Sequence, residues 1–170
     1  MNKFHYLSIT LFVLFVIVII ISVIASTGGE SDAQIIEKFS NWEKSELVNM
    51  EGGTLFTIEK LNKPVLVETF SLGCNTCKEQ HDQMALVEGN IISLDTSSGG
   101  DAMKLKEYIN NNSYTWTFTI APAWVKQSLI SDFGPGVLDS RFIIVCGGKY
   151  TLLDPGIKYS GELKNILATC

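Results

Sequence analysis

Basic residues are scarce in this chain of 170 residues: 13 lysines and arginines stand against 18 aspartates and glutamates, for a formal net charge of −5. No run of Lys or Arg forms a basic patch, which excludes nucleic acid and an anionic membrane surface as partners held by charge. A phosphate-binding loop, a dinucleotide fingerprint and a Ser/His/Asp set are all absent, so nucleotide-dependent chemistry and hydrolysis by a serine triad have no sequence support. There is no internal repeat and no low-complexity tract. The histidines number only two and the cysteines four, so the few positions able to do redox or metal chemistry can each be weighed.

Two features stand out against that background. The first is an uncharged stretch at residues 6–25, interrupted among polar types only by Ser8, Thr10 and Ser22. As a helix its 20 residues span about 30 Å, the hydrocarbon thickness of a bilayer. Lys3 precedes it and Glu30 and Asp32 follow, so the positive-inside tendency puts the N-terminus in the cytoplasm and the rest of the chain outside. A cleaved signal peptide is the alternative, with Val23-Ile24-Ala25 as its cleavage site; the run is longer than the roughly 7–15 residues of a signal core, which favours an uncleaved anchor. No cysteine follows closely, so there is no lipoprotein attachment point. Without Lys3 the exported part carries 12 basic and 18 acidic residues, a net charge of −6.

The second feature is the stretch from Val65 to Cys77. Val65-Leu66-Val67-Glu68-Thr69-Phe70 has the β-branched and aromatic content of a buried strand, and Gly73 breaks it. Cys74-Asn75-Thr76-Cys77 then opens a run of helix formers, Lys78, Glu79, Gln80, Met84, Ala85 and Leu86, free of Gly and Pro until Gly89. A strand thus delivers Cys74 to a helix start, where unpaired N–H groups and the helix dipole stabilise a thiolate. Cys74 is the expected attacking thiol. Cys77, one turn on, is placed to resolve a mixed disulfide on Cys74. A carboxylate at Glu68, inside an apolar strand, carries a desolvation cost.

This strand and its Cys-x-x-Cys resemble the second core strand and active-site turn of the thioredoxin-like superfamily, and most nearly its membrane-tethered, extracytoplasmic TlpA-like branch of thiol-disulfide oxidoreductases. The resemblance extends over residues 55–167. It implies an α/β fold with a central mixed sheet flanked by helices, no cofactor, exported protein thiols or disulfides as partners, a membrane electron donor, and a role such as reduction of apocytochrome in cytochrome c maturation. It further implies that Glu68, six residues before Cys74, relays the proton for Cys77, and that Asp139 and Ser140 lie in the substrate-binding loop opposite the cysteines. The chain departs from the pattern twice. Gly73 stands where an aromatic residue is usual, and Asp139 aligns with the family's cis-proline, an exchange that would disfavour a nearby thiolate. These departures motivate a second reading, a redox-impaired thioredoxin-like binding module.

The segments divide the chain into an anchor or signal at 1–26, a linker and amphipathic helix at 27–53, and the thioredoxin-like domain at 54–170. Ser31 or Asp32 can cap the amphipathic helix, which carries Ile35, Ile36, Phe39 and Trp42 at helical spacing. Short strands are expected at 55–58 and 91–94, then a helix capped by Asp101 and stopped by Asn110 to Asn112. A strand over 116–120 and a helix over 124–133 follow. A hairpin over 142–145 and 150–153 turns at Gly147-Gly148, and Ser160 caps a last helix. That helix should return Cys170 to the hairpin turn at Cys146. A Cys146–Cys170 bond is compatible with this arrangement, and so are two free thiols; by the resemblance that end of the sheet lies away from Cys74, which makes the bond structural. Cys74, Cys77 and His81 also form a C-x-x-C-x-x-x-H set suited to zinc or copper, the basis of a metal-carrier alternative in which His81 is a ligand and not an exposed helix residue. Asn111-Asn112-Ser113 is a glycosylation sequon, or a polar loop.

Overall fold

The computed structural model describes residues 34–36 and 41–170. The expected membrane segment at 6–25 lies outside the described residues. Among those described, no helix is long and apolar enough to cross a membrane.

Strand β4 (Val65–Phe70) is the axis of the molecule, with all six residues buried. It pairs in parallel with β5 (Asn90–Asp95), which pairs in parallel with β6 (Thr117–Ile120). On its other side it pairs antiparallel with β7 (Phe142–Cys146), and β7 turns into β8 (Lys149–Leu152). The turn holds Gly147 and Gly148 at φ 51° and 93°, a left-handed pair that a tight hairpin needs and that side chains resist. β1 (Gln34–Ile36) closes the outer edge against β8, giving a mixed six-stranded sheet in the order β1-β8-β7-β4-β5-β6. This is the central mixed sheet that the resemblance implies.

Because side chains alternate along a strand, β4 feeds two separate layers. Val65 and Val67 point to a core built with Ile92, Leu94, Ile143 and Val145, over which α3 (Ala123–Phe133) packs Val125 and Leu129. Leu66 and Phe70 point to the opposite face. There α1 (Cys77–Met84) contributes Cys77 and Met84, α2 (Ala102–Asn112) contributes Leu105 and Ile109, and α4 (Ser160–Ala168) contributes Leu163. Glu68 sits between Leu66 and Phe70 and therefore also faces α1.

Several expected elements differ. The segment carrying Ile35 to Trp42 is not one helix: residues 34–36 form β1, and Asn41–Lys44 form a 3-10 turn. Adjacent β-branched residues suit an edge strand, and the free edge of β8 supplies backbone partners that helical spacing alone cannot outweigh. Trp42 is buried from that turn against Phe133 and Tyr150. The expected strand at 55–58 shortens to β3 (Leu55–Phe56), paired with β2 (Leu47–Val48), before a 3-10 turn at Ile58–Lys60. Just after β2, the Met50 N–H donates to the Phe118 carbonyl of β6 at 2.9 Å, so the folded unit takes in residues ahead of 54. The α2 helix runs through Asn112, and Ser113 caps it at φ 55°, which puts Asn111 on a helix end and not in a loop. Asp101 caps α2 as expected, accepting from the N–H groups of Met103 and Lys104. Ser160 is not the cap but the first residue of α4; the N-cap is Tyr159, whose side chain makes no cap bond.

Candidate active site

Strand β4 ends at Phe70, and Ser71 to Thr76 turn the chain into α1. The regular helix begins at Cys77, three residues later than the sequence pattern suggests, so Cys74 sits in the turn just before it. Its backbone N–H donates to the Ser71 carbonyl, and the Cys77 N–H points back to the Cys74 carbonyl. Cys74 and Cys77 are joined as a disulfide with Cα atoms 5.4 Å apart. Cys74 is half-buried whereas Cys77 is only 4% exposed, so of the two sulfurs Cys74 is the one an incoming partner can reach. Both border an open cleft of about 410 Å3, whose lining includes Ser71, Gln80, Asp139 and Ser140.

Of the loop pair expected opposite the cysteines, Ser140 makes the contact. Its hydroxyl lies 3.2 Å from Cys77 Sγ and 3.5 Å from Cys74 Sγ. Asp139 lines the same cleft but is exposed. Ser140 has φ 49°, a left-handed conformation held by Thr69 on β4. The Thr69 hydroxyl donates to the Val137 carbonyl and accepts from the Arg141 N–H at 3.0 Å, and its own N–H donates to the Arg141 carbonyl at 2.9 Å. The Arg141 guanidinium donates twice to the Leu153 carbonyl. The cis peptide among the described residues is Lys63–Pro64, at the entry to β4.

Glu68 lies under α1, 1% exposed. The buried stripe of α1, Cys77, Gln80, His81 and Met84, follows helical spacing and faces the sheet. His81 is therefore not an exposed helix residue. It is completely buried, with Nε2 2.8 Å from Glu68 Oε2 and Nδ1 2.7 Å from the Tyr108 hydroxyl. Rings of Phe70, Tyr108, Tyr114, Trp116 and Phe118 surround it with centroids 5.0–5.8 Å away. With both ring nitrogens engaged, His81 is not brought into a ligand set with Cys74 and Cys77; among the described residues no group of three His, Cys, Asp or Glu side chains could hold a metal ion.

The partners of Glu68 come from one sheet row. Glu68 is opposite Ser93 on β5, and Ser93 is opposite Phe118 on β6. The Trp116 indole N–H donates to Ser93 Oγ at 2.9 Å, and the Ser93 hydroxyl donates to Glu68 Oε2 at 2.7 Å. Glu68 Oε1 is buried with no hydrogen-bond partner. With Glu68 as a carboxylate, the consistent arrangement has His81 donating from Nε2 and accepting the Tyr108 proton at Nδ1. Burial pushes the Tyr108 phenol above its ordinary range; Tyr114, desolvated and beside Tyr108 and Asp82, is pushed further in the same direction. Sequence reasoning singled out none of Ser93, Tyr108, Tyr114 or Trp116. The available signal was chemical: a buried acid and a histidine on the Cys77 face of α1 both require polar partners.

Gln80, also buried, fixes the far wall of the cleft. Its amide donates to the Lys158 carbonyl at 2.9 Å and accepts from the Lys158 N–H at 2.6 Å, pinning the loop of Gly156 and Ile157 against α1. At the opposite end of the sheet, where Val65 pairs with Val145, Cys146 and Cys170 are joined as a disulfide with Cα atoms 5.3 Å apart.

No protein-family model and no curated protein matches the sequence. Solved structures do match by shape. A secreted Mycobacterium tuberculosis disulfide oxidoreductase, described as homologous to Escherichia coli DsbE, superposes with a TM-score of 0.62 at 12% identity, over 77% of this chain and 99% of its own. An exposed lipoprotein thioredoxin of Streptococcus pneumoniae gives 0.58 at 14% identity, over 74% and 98%. A thioredoxin-family thiol:disulfide interchange protein of Chlorobium tepidum gives 0.60 at 15% identity, over 81% and 97%. With the mixed sheet, the flanking helices and the Cys-x-x-Cys turn at the end of β4, the chain has the thioredoxin-like fold.

Proposed function

We propose that the chain is a thiol-disulfide oxidoreductase that exchanges two electrons with exported protein thiols through Cys74 and Cys77. The observation that carries this reading is the asymmetric disulfide at the mouth of the cleft, with a reachable Cys74 and a shielded Cys77. In the reducing direction, the Cys74 thiolate attacks a substrate disulfide and forms a mixed disulfide, and one substrate sulfur leaves with the electron pair. Cys77, deprotonated by Glu68, then attacks Cys74 Sγ; the Cys74–Cys77 bond forms, the mixed bond breaks, and the substrate leaves as a dithiol. Two electrons pass to the substrate. The reverse sequence oxidises it. Ser140, in hydrogen-bond reach of both sulfurs, is poised to stabilise whichever one is anionic.

Several finer features belong to the same proposal. The apolar run at 6–25 anchors the chain in the membrane with its folded part outside, and the secreted and surface-exposed nature of two structural neighbours supports that side. A membrane electron donor re-reduces the pair, and apocytochrome thiols in cytochrome c maturation are one substrate class that this location serves. The Cys146–Cys170 bond is structural.

The test is an equilibration of the full-length chain, in detergent solution, with graded thiol-disulfide buffers, followed by alkylation and mapping of each cysteine by mass spectrometry. A reversible two-electron Cys74–Cys77 couple is expected; a potential at or below about −250 mV marks a reductant and a much higher one an oxidant. A pair that never opens and recloses overturns the oxidoreductase reading and leaves a binding module.

A further inference from the structure

Glu68 and His81 are sealed from solvent, which raises a question that the exchange chemistry does not answer. A buried carboxyl that takes a proton from Cys77 in each cycle must lose it to water before the next, and no water reaches it directly. The neighbouring groups form a way out. His81 Nε2 is 2.8 Å from Glu68 Oε2, and His81 Nδ1 is 2.7 Å from the Tyr108 hydroxyl. Tyr108 is only half-buried and lines an open cleft with Gly73, Cys74, Cys77 and Lys78. The Tyr108 and Tyr114 rings lie 5.7 Å apart, and the Tyr114 hydroxyl donates to Oδ1 of the exposed Asp82 at 3.3 Å.

We propose that His81 and Tyr108 form a proton path joining Glu68 to solvent, with Tyr114 and Asp82 at its outer end. The inference rests on the reading of Glu68 as the proton relay for Cys77. Imidazole suits the inner position because it can release a proton from one nitrogen while accepting one at the other. In the inward shift, His81 gives its Nε2 proton to Glu68 and takes the Tyr108 proton at Nδ1, and Tyr108 is reprotonated from the Tyr114 side or from cleft water. One proton enters Glu68 and one leaves solvent, with no net charge left on the path. The outward shift is its reverse. Because both phenols resist ionisation, the protons move together and not by way of a standing phenolate.

The groups facing His81 are Glu68 from β4, Ser93 through Glu68 from β5, and Tyr108 from α2. Tyr114 and Trp116 face it from the segment after α2, and Cys77 lies a turn earlier on its own helix. Asp82 and Lys78 pair at the surface at 2.9 Å and bound the outer end. His81, Tyr108 and Tyr114 are hydrogen-bonded or packed outward from Glu68 and act through it, so they are positioning residues whose signature is the proton and not the potential.

Tyr108→Phe is the decisive variant, since it keeps the ring and leaves the His81 to Glu68 bond in place. The full-length protein is followed by rapid mixing through repeated turnovers, with dithiothreitol as electron donor and a small aromatic disulfide as substrate, so that Glu68 must shed its proton between cycles, over about pH 5 to 8 in light and heavy water. The expected result is roughly a tenfold or greater slowing in Tyr108→Phe, an altered solvent isotope effect, an unchanged Cys74–Cys77 potential, and recovery of rate when free imidazole is added. Glu68→Gln, measured alongside, separates the two levels. A slow Glu68→Gln beside a wild-type Tyr108→Phe overturns the path and leaves the relay standing; wild-type rates in both overturn the relay as well.

Discussion

The imidazole of His81 closes on the carboxyl of Glu68, Nε2 to Oε2 at 2.8 Å, with both side chains out of water. One residue comes from the central strand and the other from the helix that carries Cys77, so their contact ties the active-site helix to a buried row of the sheet. The pair is both a structural clasp and the inner end of the proposed proton path, and the two roles predict different measurements.

As a clasp, the pair is costly to halve. His81→Leu leaves the carboxyl without its imidazole in an aromatic enclosure, and should destabilise the fold by about 3 kcal/mol. Glu68→Leu combined with His81→Leu removes both polar groups and should recover a large part of that loss. Urea unfolding of the two single variants and the double variant measures the coupling; strictly additive losses would mean that the contact contributes nothing.

Ser140 is expected to set the redox poise. Its hydroxyl can donate to a thiolate at Cys74 or Cys77, and so stabilises the reduced state. Ser140→Ala should raise the Cys74 pKa and lower the potential of the pair by roughly 30 mV for each 1.4 kcal/mol of lost stabilisation. Ser140→Pro is a different change: φ 49° is closed to proline, so it should destabilise the loop, whereas Ser140→Gly should keep the fold. Redox titration and thiol pKa by alkylation rate read the first effect, and thermal unfolding reads the second.

The second disulfide should act on stability alone. Cys146 and Cys170 are 24 residues apart in sequence and lie at the other end of the sheet from Cys74. Replacing both with serine should cost about 3 kcal/mol, chiefly by freeing the unfolded chain, and should leave the Cys74–Cys77 potential in place. A shifted potential would instead show that the two bonds communicate.

At high pH the buried phenols should open the fold. Tyr108 and Tyr114 have folded-state pKa values raised by burial, so their contribution is fully present below the unfolded tyrosine value near 10 and is lost as pH rises from there toward the folded values. In that window the unfolded chain has released protons that the folded chain still holds, and stability falls. Denaturant unfolding above about pH 10, with tyrosinate absorbance as a second probe, should show this limb, and Tyr108→Phe and Tyr114→Phe should each flatten it.

Much of this protein follows from local sequence. The six apolar-framed residues of β4, the break at Gly73 and the helix formers after Cys77 are enough to place a Cys-x-x-Cys at a strand-to-helix turn, because strand and helix periods are short-range properties. The Gly147-Gly148 turn and the Asp101 cap are legible for the same reason: each satisfies a backbone requirement within a few residues. The hairpin turn at Cys146 and a last helix running back toward it left a Cys146–Cys170 bond and two free thiols both open in the sequence, and the tertiary structure joins them.

What the tertiary structure decided are the partners across faces. Helical spacing shows that His81 shares a face with Cys77, but only the placement of α1 over β4 brings it to Glu68 and away from a metal set with the sulfurs. Only the β4-β5-β6 register lines up Glu68, Ser93 and Phe118, and only the docking of α2 brings in Tyr108. Ser140 and not Asp139 meets the sulfurs because Thr69, some 70 residues earlier, holds that loop in a left-handed turn. The residues at 34–36 became a strand because β8 offered an edge. A sequence period states which side of an element is buried; which atoms it meets there is set by sheet register and helix packing, and both are sums over residues distant in the chain.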